Sequence, residues 1–309
     1  MSMSTPNDNQ TDASQTDVSQ ANILTLENVY KGFAGRQVLN GINLTLKKGT
    51  VMGLVGVNGA GKTTLLKTAL GLLKADIGET KIFNQPSWGM SDDCKEKLGF
   101  VPQSLEFFDG MKVKHLVEYI STFYKHWEQT KAEQLMFDWQ IPKEAIVSTL
   151  SPGQKQRLSI TLAMSHSPEL LVLDEPVASL DPAARREFIR QLIEMNADSQ
   201  TSILFSTHIT SDIERVAADV AFLKRGKIDY QGSVDELKEQ VVRLHIKSQH
   251  PLVEKFDMPG ILNQRVDGQY AQLSVRGFDV SHLADWETKY CASVEVETLS
   301  LEDIFLELN

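Results

Sequence analysis

The chain has 309 residues, a formal net charge of −10, and 41% hydrophobic and 23% charged side chains. This is the profile of a soluble globular chain with two compact domains, or one large domain and an appendage. The acidic excess argues against a nucleic-acid surface, which needs clustered Lys and Arg.

Cys94 and Cys291 lie far apart and outside any C-x-x-C pattern, so they read as unpaired, buried thiols of a reducing compartment. No uninterrupted apolar run reaches the roughly 18 residues of a spanning helix. The opening MSMSTPNDNQTDASQTDVSQ has neither the basic residues nor the apolar core of a signal peptide. A cytoplasmic chain is expected, with any membrane role supplied by a partner.

Residues 1–22 are rich in Ser, Thr, Asn, Asp and Gln, cannot bury enough surface to offset ordering, and read as a disordered acidic tail. Residues 23–48 alternate short apolar runs with polar or glycine punctuation, as strands and turns do. Phe33 lies between two such runs, and on physical grounds packing against a turn is as good an account of it as a ligand contact. An apolar strand, VMGLV at 51–55, then leads into GVNGAGKTT at 56–64 and an apolar helical run at 65–73.

Strand, glycine loop and helix in that order make a phosphate site. Gly56, Gly59 and Gly61 lack a Cβ, so the backbone can take positive φ and approach a ligand closely. Around Asn58 and Ala60, loop N–H groups converge with the unpaired donors and positive dipole end of the helix that Thr63 and Thr64 introduce. Lys62 supplies a full charge for the β and γ phosphates, and the Thr63 hydroxyl can ligate a bridging magnesium. The spacing G-x-x-G-x-G disfavours a dinucleotide loop.

Strands are predicted at 81–83 and 98–101, the second followed by Pro102 and Gln103. From 113 to 124, Val113, Leu116, Val117, Ile120, Phe123 and Tyr124 recur at helical spacing on one face, and a second helix is predicted at 129–137. At Leu150 the chain reads LSPGQKQRLSI: Ser151 is a good N-cap and Pro152 suits the first helical position. Such a start can bind an anion, although an ordinary capped helix is the simpler account of this stretch alone.

ELLVLDEP at 169–176 reads as a buried central strand with Asp174 and Glu175 at its carboxyl end, where open α/β sheets place ligands. Asp174 can hold magnesium and Glu175 can polarise an attacking water. Asp181-Pro182 opens an amphipathic helix with Phe188, Ile189, Leu192 and Ile193 facing inward, and 201–206 is the next buried strand, with His208 just past its end. Strands at 219–224 and 227–231 and a helix at 234–240 follow. Residues 241–309 read as a small separate unit: strands at 243–247, 261–266, 270–275 and 292–297, a helix at 280–289, and a short acidic terminal helix.

In their order and spacing, these motifs resemble the ATP-binding subunits of ABC transporters over about 23–240. The resemblance implies an α/β P-loop fold with an N-terminal antiparallel β subdomain, a helical signature subdomain at about 104–165 and a small α+β C-terminal domain at 241–309. It makes 56–64 the Walker A loop, Gln103 the Q-loop glutamine that reaches the magnesium, and 150–154, with Ser151, Gly153 and Gln154, the signature motif. Asp174 ends Walker B, Glu175 is the catalytic carboxylate, 179–181 is the D-loop, His208 the switch histidine and Phe33 the adenine-stacking ring.

It also implies partners: a second copy facing the first head to tail, so that each ATP lies between one Walker A and the other's signature helix, and membrane-spanning permeases driven by the dimer's closure. Pro152 departs from the usual signature, which has glycine after the serine, and removes one N–H. The ending SLEDIFLEL resembles exporter ATPases with separate membrane subunits. The alternatives are a soluble ABC ATPase acting on ribosomes or DNA, against which stand the single cassette and the lack of heptads or zinc spacing, and a regulatory module that moves no substrate.

Overall fold

A computed structural model of the chain describes residues 21–103, 109–177, 179–279, 281 and 283–308. The predicted acidic tail lies outside the described residues apart from Ala21 and Asn22, and Asn22 already begins the first strand.

Strands β1 (Asn22–Phe33) and β2 (Arg36–Lys47) form a hairpin whose two turn residues, Ala34 and Gly35, both have positive φ, the geometry that matches strand twist in a two-residue turn. β3 (Val51–Val55), α1 (Lys62–Ala69), β4 (Ile77–Ile82) and β5 (Gln85–Pro86) follow. β1 pairs antiparallel with β2 and β4, which gives a four-stranded sheet in the order β2-β1-β4-β5. Leu24, Leu26, Leu44 and Leu46 of its inner face share one core with Leu65, Leu66 and Ala69 of α1.

Next come α2 (Asp92–Glu96), β6 (Leu98–Val101) and a helical insertion of α3 (Val113–Ser121), α4 (Gln129–Asp138) and α5 (Pro152–Met164). Val113, Leu116 and Val117 of α3, Leu135 and Met136 of α4, and Leu158 of α5 join one core cluster. β7 (Leu170–Asp174), α6 (Pro182–Ser199), β8 (Ser202–Thr207), α7 (Thr210–Val216), β9 (Asp219–Lys224) and β10 (Lys227–Ser233) complete a six-stranded sheet ordered β10-β9-β3-β8-β7-β6. All of its pairings are parallel except that of β10 with β9. Every residue of β3, β7 and β8 is buried, as strands covered on both faces require.

The chain ends with α8 (Val234–Gln240), β11 (Val241–Ser248), β12 (Ile261–Asp267), β13 (Tyr270–Arg276), α9 (Leu283–Tyr290), β14 (Ala292–Thr298) and α10 (Leu301–Leu308). β11 to β14 form an antiparallel sheet, β12-β13-β11-β14, over its own core of Leu244, Ile246, Leu273, Val275 and Phe256, with Trp286 and Tyr290 of α9 against it. α10 packs elsewhere: its Leu301 and Ile304 are buried in the core that holds α3, α5 and α6.

Several local expectations need correction. The helix after the glycine loop starts at Lys62 and stops at Ala69, because the chain turns at Leu70 and Gly71, the latter at φ 68°. The strand expected at 81–83 is β4, which begins earlier at Ile77 and ends before Phe83, whose φ is 51°. α3 ends at Ser121, which leaves Phe123 62% exposed, and Ile193 of α6 points outward while Met195 is buried in its place. Cys94 is buried but Cys291 is exposed. Position 280 of the helix expected at 280–289 lies outside the described residues, as do 104–108 of the helical subdomain.

His166, just past α5, is 3% exposed, stacks on Tyr124 at 3.9 Å between ring centroids and holds Nε2 3.3 Å from the Leu98 carbonyl oxygen. Burial pulls its pKa from 6.5 down to about 4. The folded state therefore binds fewer protons than the unfolded chain between these values. The stability of the neutral ring is complete above pH 6.5 and is lost as pH falls toward 4, a loss of up to about 3 kcal/mol. Thermal melts across that window should show the wild type losing more stability than His166→Gln, and parallel curves would refute this.

Candidate active site

Neighbouring parallel strands bring the site together. Val55 at the end of β3 lies opposite Thr207 of β8, and Asp174 at the end of β7 lies opposite Ser206. The carboxyl ends of these strands thus deliver the glycine loop, the Asp174-Glu175 pair and His208 to one place, the general location of ligands in open α/β sheets.

Gly59 and Gly61 take φ of 81° and 108°, and Gly61 is the N-cap of α1 with no side-chain cap. The first-turn N–H groups of α1 are left to an anion. Gly56 works differently from the expectation: its φ is not positive, and a Cβ there would lie 2.7 Å from the Leu223 carbonyl oxygen and 3.2 Å from the Ala60 Cβ. Its smallness lets the loop lie against β9. Asn58, Gly59, Gly61, Lys62, Thr63, Thr64, Gln103 and Glu175 line a cavity of about 360 Å³ together with Val38 of β2. Gly56 and Ala60 shape the loop from behind and are not in that lining.

The charges are concentrated on Glu175. Lys62, 7% exposed, donates from Nζ to the Gly56 carbonyl oxygen at 2.7 Å and lies 3.0 Å from Glu175 Oε1. His208 Nδ1 is 2.8 Å from the other oxygen, Oε2. Glu175 is 6% exposed, and such a charge is tolerated only when paired and hydrogen-bonded. Its φ of 51° is a strained value for a side-chain-bearing residue, and its N–H donates to Ser206 Oγ at 2.9 Å. The same hydroxyl donates to Asp174 Oδ1 at 2.7 Å, while Asp174 Oδ2 is buried without a partner.

That orphaned oxygen suits a hard divalent cation, which takes oxygen donors. The Thr63 hydroxyl donates to Gln103 Oε1 at 3.4 Å, so the other two predicted magnesium ligands already lie side by side. All three are oxygen donors of the kind the metal takes, and Asp174, wholly buried, lies outside the cavity lining.

Comparison with known proteins fits this geometry. A family model described as ABC transporter matches residues 39–178. The ABC transporter ATP-binding protein YtrB of Bacillus subtilis is 32% identical over 224 residues, 72% of this chain and 76% of that protein. The chain belongs to the ABC transporter ATP-binding proteins. YhaQ, an uncharacterized ABC transporter ATP-binding protein of the same organism, is 29% identical over 299 residues, 92% of this chain and 98% of its own length. An ATP-binding cassette solved as a post-hydrolysis dimer with ADP and Pi has the same fold, with a TM-score of 0.62 at 23% identity over 68% of this chain and 98% of that one. This is an ATP-binding subunit of an ATPase family, and among the described residues no helix is long and apolar enough to cross a membrane.

Other predicted residues of the ABC subunit lie outside the cavity lining. Phe33 is 45% exposed, with Lys31 Nζ 5.4 Å from its ring centroid. Ser151 caps α5 in a closed capping box: its Oγ accepts from Gln154 N at 3.2 Å, and its own N–H donates to Gln154 Oε1 at 3.0 Å. Pro152, at the first helical position, removes a donor that the helix does not use. A Cβ on Gly153 would sit 3.1 Å from the Ser179 carbonyl oxygen, so the start of α5 abuts the segment that leads into α6. Arg157 strengthens that link, with a 2.6 Å ion pair to Asp181.

Three contributors were not singled out in the sequence. Val38 precedes a buried leucine on an ordinary strand and carries no signal of its own. Arg157 is one of two cations on α5 and nothing in the sequence sets it apart. Ser206 could have been found: a hydroxyl on a strand buried along its whole length needs a polar partner.

Removing Lys62 leaves Glu175 buried against His208 alone. Lys62→Met is expected to lower stability by roughly 3 kcal/mol in denaturant titrations, and Glu175→Gln added to it should restore most of the loss. An unchanged midpoint for Lys62→Met would show that the ion pair is not needed for folding.

Proposed function

We propose that this subunit hydrolyses ATP with magnesium as one half of a two-subunit site, and that the closure and opening of the pair drive a membrane permease, in the export direction. The observation that carries the reading is the Glu175 carboxylate, held between Lys62 and His208 at the rim of the glycine-loop cavity.

The loop N–H groups and Lys62 bind the phosphates, and Phe33 stacks on the adenine. Asp174, Thr63 and Gln103 would hold magnesium, which would supply positive charge against the phosphate oxygens. A triphosphate competes with Glu175 for Lys62 and frees Oε1 to accept the proton of the attacking water. The water oxygen bonds to the γ phosphorus, the bond from phosphorus to the β–γ bridging oxygen breaks, and ADP and phosphate result. His208 keeps Glu175 turned toward the water through its other oxygen.

The second subunit is inferred from the resemblance of the α5 start, at Ser151 and Gly153, to the signature motif, since neither residue lines this chain's own cavity. The two-subunit state of the solved cassette with ADP and Pi is consistent with that inference. The helical insertion exposes Phe123 and Phe137, at 62% and 77%, two large apolar side chains available to a permease. Placement on the cytoplasmic face of the membrane follows from that partner. Export rests on the C-terminal unit and its SLEDIFLEL ending. The relatives' transporter names give no support to action on ribosomes or DNA.

Glu175→Gln should bind ATP, slow phosphate release by roughly a hundredfold or more, and elute as a dimer in ATP and magnesium. Wild-type turnover would remove Glu175 from the role of base. Adding Ser151→Arg should abolish that dimer while leaving monomer nucleotide binding intact, and a persisting dimer would refute the shared site. Purification of the tagged chain from detergent-solubilised membranes should bring down an integral membrane protein. Recovery with ribosomes or DNA instead would overturn the transporter assignment.

A further inference from the structure

The C-terminal helix α10 does not cover the small sheet that precedes it; it lies on α7, the two-turn helix that begins two residues after His208. At seven residues, α7 is too short to be stable alone and has no side-chain cap at its start. Its neighbours hold it. On one side Asp212, 1% exposed, pairs with Arg185 of α6 at 2.6 Å. Beneath, the Ile213 side chain lies over Gly53 of β3, where a Cβ would meet it at 2.6 Å. On the remaining side Glu214 Oε1 accepts the Leu301 N–H, the first free donor of α10, at 2.9 Å and the Lys238 ammonium at 3.1 Å.

α10 is itself fixed at both ends. Ser300 closes its first turn by accepting from Asp303 N at 3.1 Å, and Leu301 and Ile304 are fully buried. Phe305 packs edge-on against Phe222 of β9 at 5.4 Å. Glu307 reaches back to the small sheet, 2.8 Å from Arg243 of β11 and 3.0 Å from Asn263 of β12. One chain of contacts thus runs from that sheet through α10 and Glu214 to α7, and from α7 to His208 and Glu175.

We propose that Glu214 is a positioning residue for His208, and that the C-terminal helix it anchors is part of the hydrolysis machinery. The proposal rests on the role given to His208 above. Glu214 does not line the cavity, and its partners are Leu301 and Lys238; by holding α7 it fixes where the His208 ring meets the carboxylate. The C-terminal unit thereby acts on turnover without contacting the site.

Steady-state ATPase assays of the full chain with Glu214→Ala, His208→Ala and the double variant test this. Glu214→Ala should lower kcat roughly tenfold, the scale of a small misplacement of a catalytic group, with KM for ATP unchanged. Added to His208→Ala it should cause no further loss. Glu214→Gln, whose carbonyl still accepts the Leu301 N–H, should keep most of the activity. If Glu214→Ala fails to fold, Glu214→Asp keeps the charge, shortens the reach and should show a smaller kcat loss of the same kind.

Wild-type turnover in these variants, a raised KM in place of a lowered kcat, or an equal loss on top of His208→Ala would overturn the proposal. Wild-type turnover in His208→Ala alone would remove the role of His208, and the proposal with it. A slow His208→Ala beside a fast Glu214→Ala would remove this proposal only.

Discussion

A carboxylate taken out of water sets the terms for this site. Glu175 is almost wholly buried, and its charge is offset by Lys62 on one oxygen and His208 on the other. These residues come from the ends of three adjacent strands or the segments that follow them, so the pairing exists only if the strands keep register. A one-residue slip would turn the whole set of side chains over. Buried ion pairs contribute little net stability, yet they penalise any arrangement that breaks them. The central sheet thus gains specificity for one geometry of the Lys62-Glu175-His208 cluster.

Ser206 adds a second constraint. Its hydroxyl accepts from the Glu175 N–H and donates to Asp174 Oδ1, so one side chain of β8 orders Asp174 at the end of β7 and Glu175 just past it. Asp174 keeps one oxygen unpartnered, and Glu175 is rotated by its left-handed backbone toward Lys62 and His208. Adjacent residues in an extended strand would point to opposite faces. The positive φ at Glu175 departs from that alternation, which is a physical use for strain that would otherwise be a cost.

What the sequence made legible follows from the range of the physics. The loop at 56–64, the apolar run of β7, the Ser151 cap and the strands of the C-terminal sheet are written in neighbouring residues, and all lie where periodicity and turn chemistry put them. The misses depend on distant partners. Gly56 is small because the Leu223 carbonyl lies against it, 167 positions away in the numbering (223 − 56). Ile193 and Phe123 obey a helical apolar pattern but face out, since the pattern marks a stripe and not its limits. Val38 and Arg157 enter the site region through β2 and through Asp181, contacts that no local rule supplies. α10 continues the small unit in sequence but buries Leu301 and Ile304 in the larger core.

The placement of α10 bears on how the nucleotide site can be controlled. Its contacts arrive by two routes: through Glu214 to the helix after His208, and through Phe305 and Phe222 to β9, where Phe222 lies opposite Val55, the last residue before the glycine loop. The first route ends on the side chain that steadies Glu175, the second behind the loop that carries Lys62. Both ends of the charge cluster therefore share one support. A rigid-body shift of the small sheet, transmitted by Arg243 and Asn263 to Glu307, would load both together. Because packed interiors deform little and transmit strain, the Lys62-Glu175-His208 cluster is mechanically tied to the C-terminal unit.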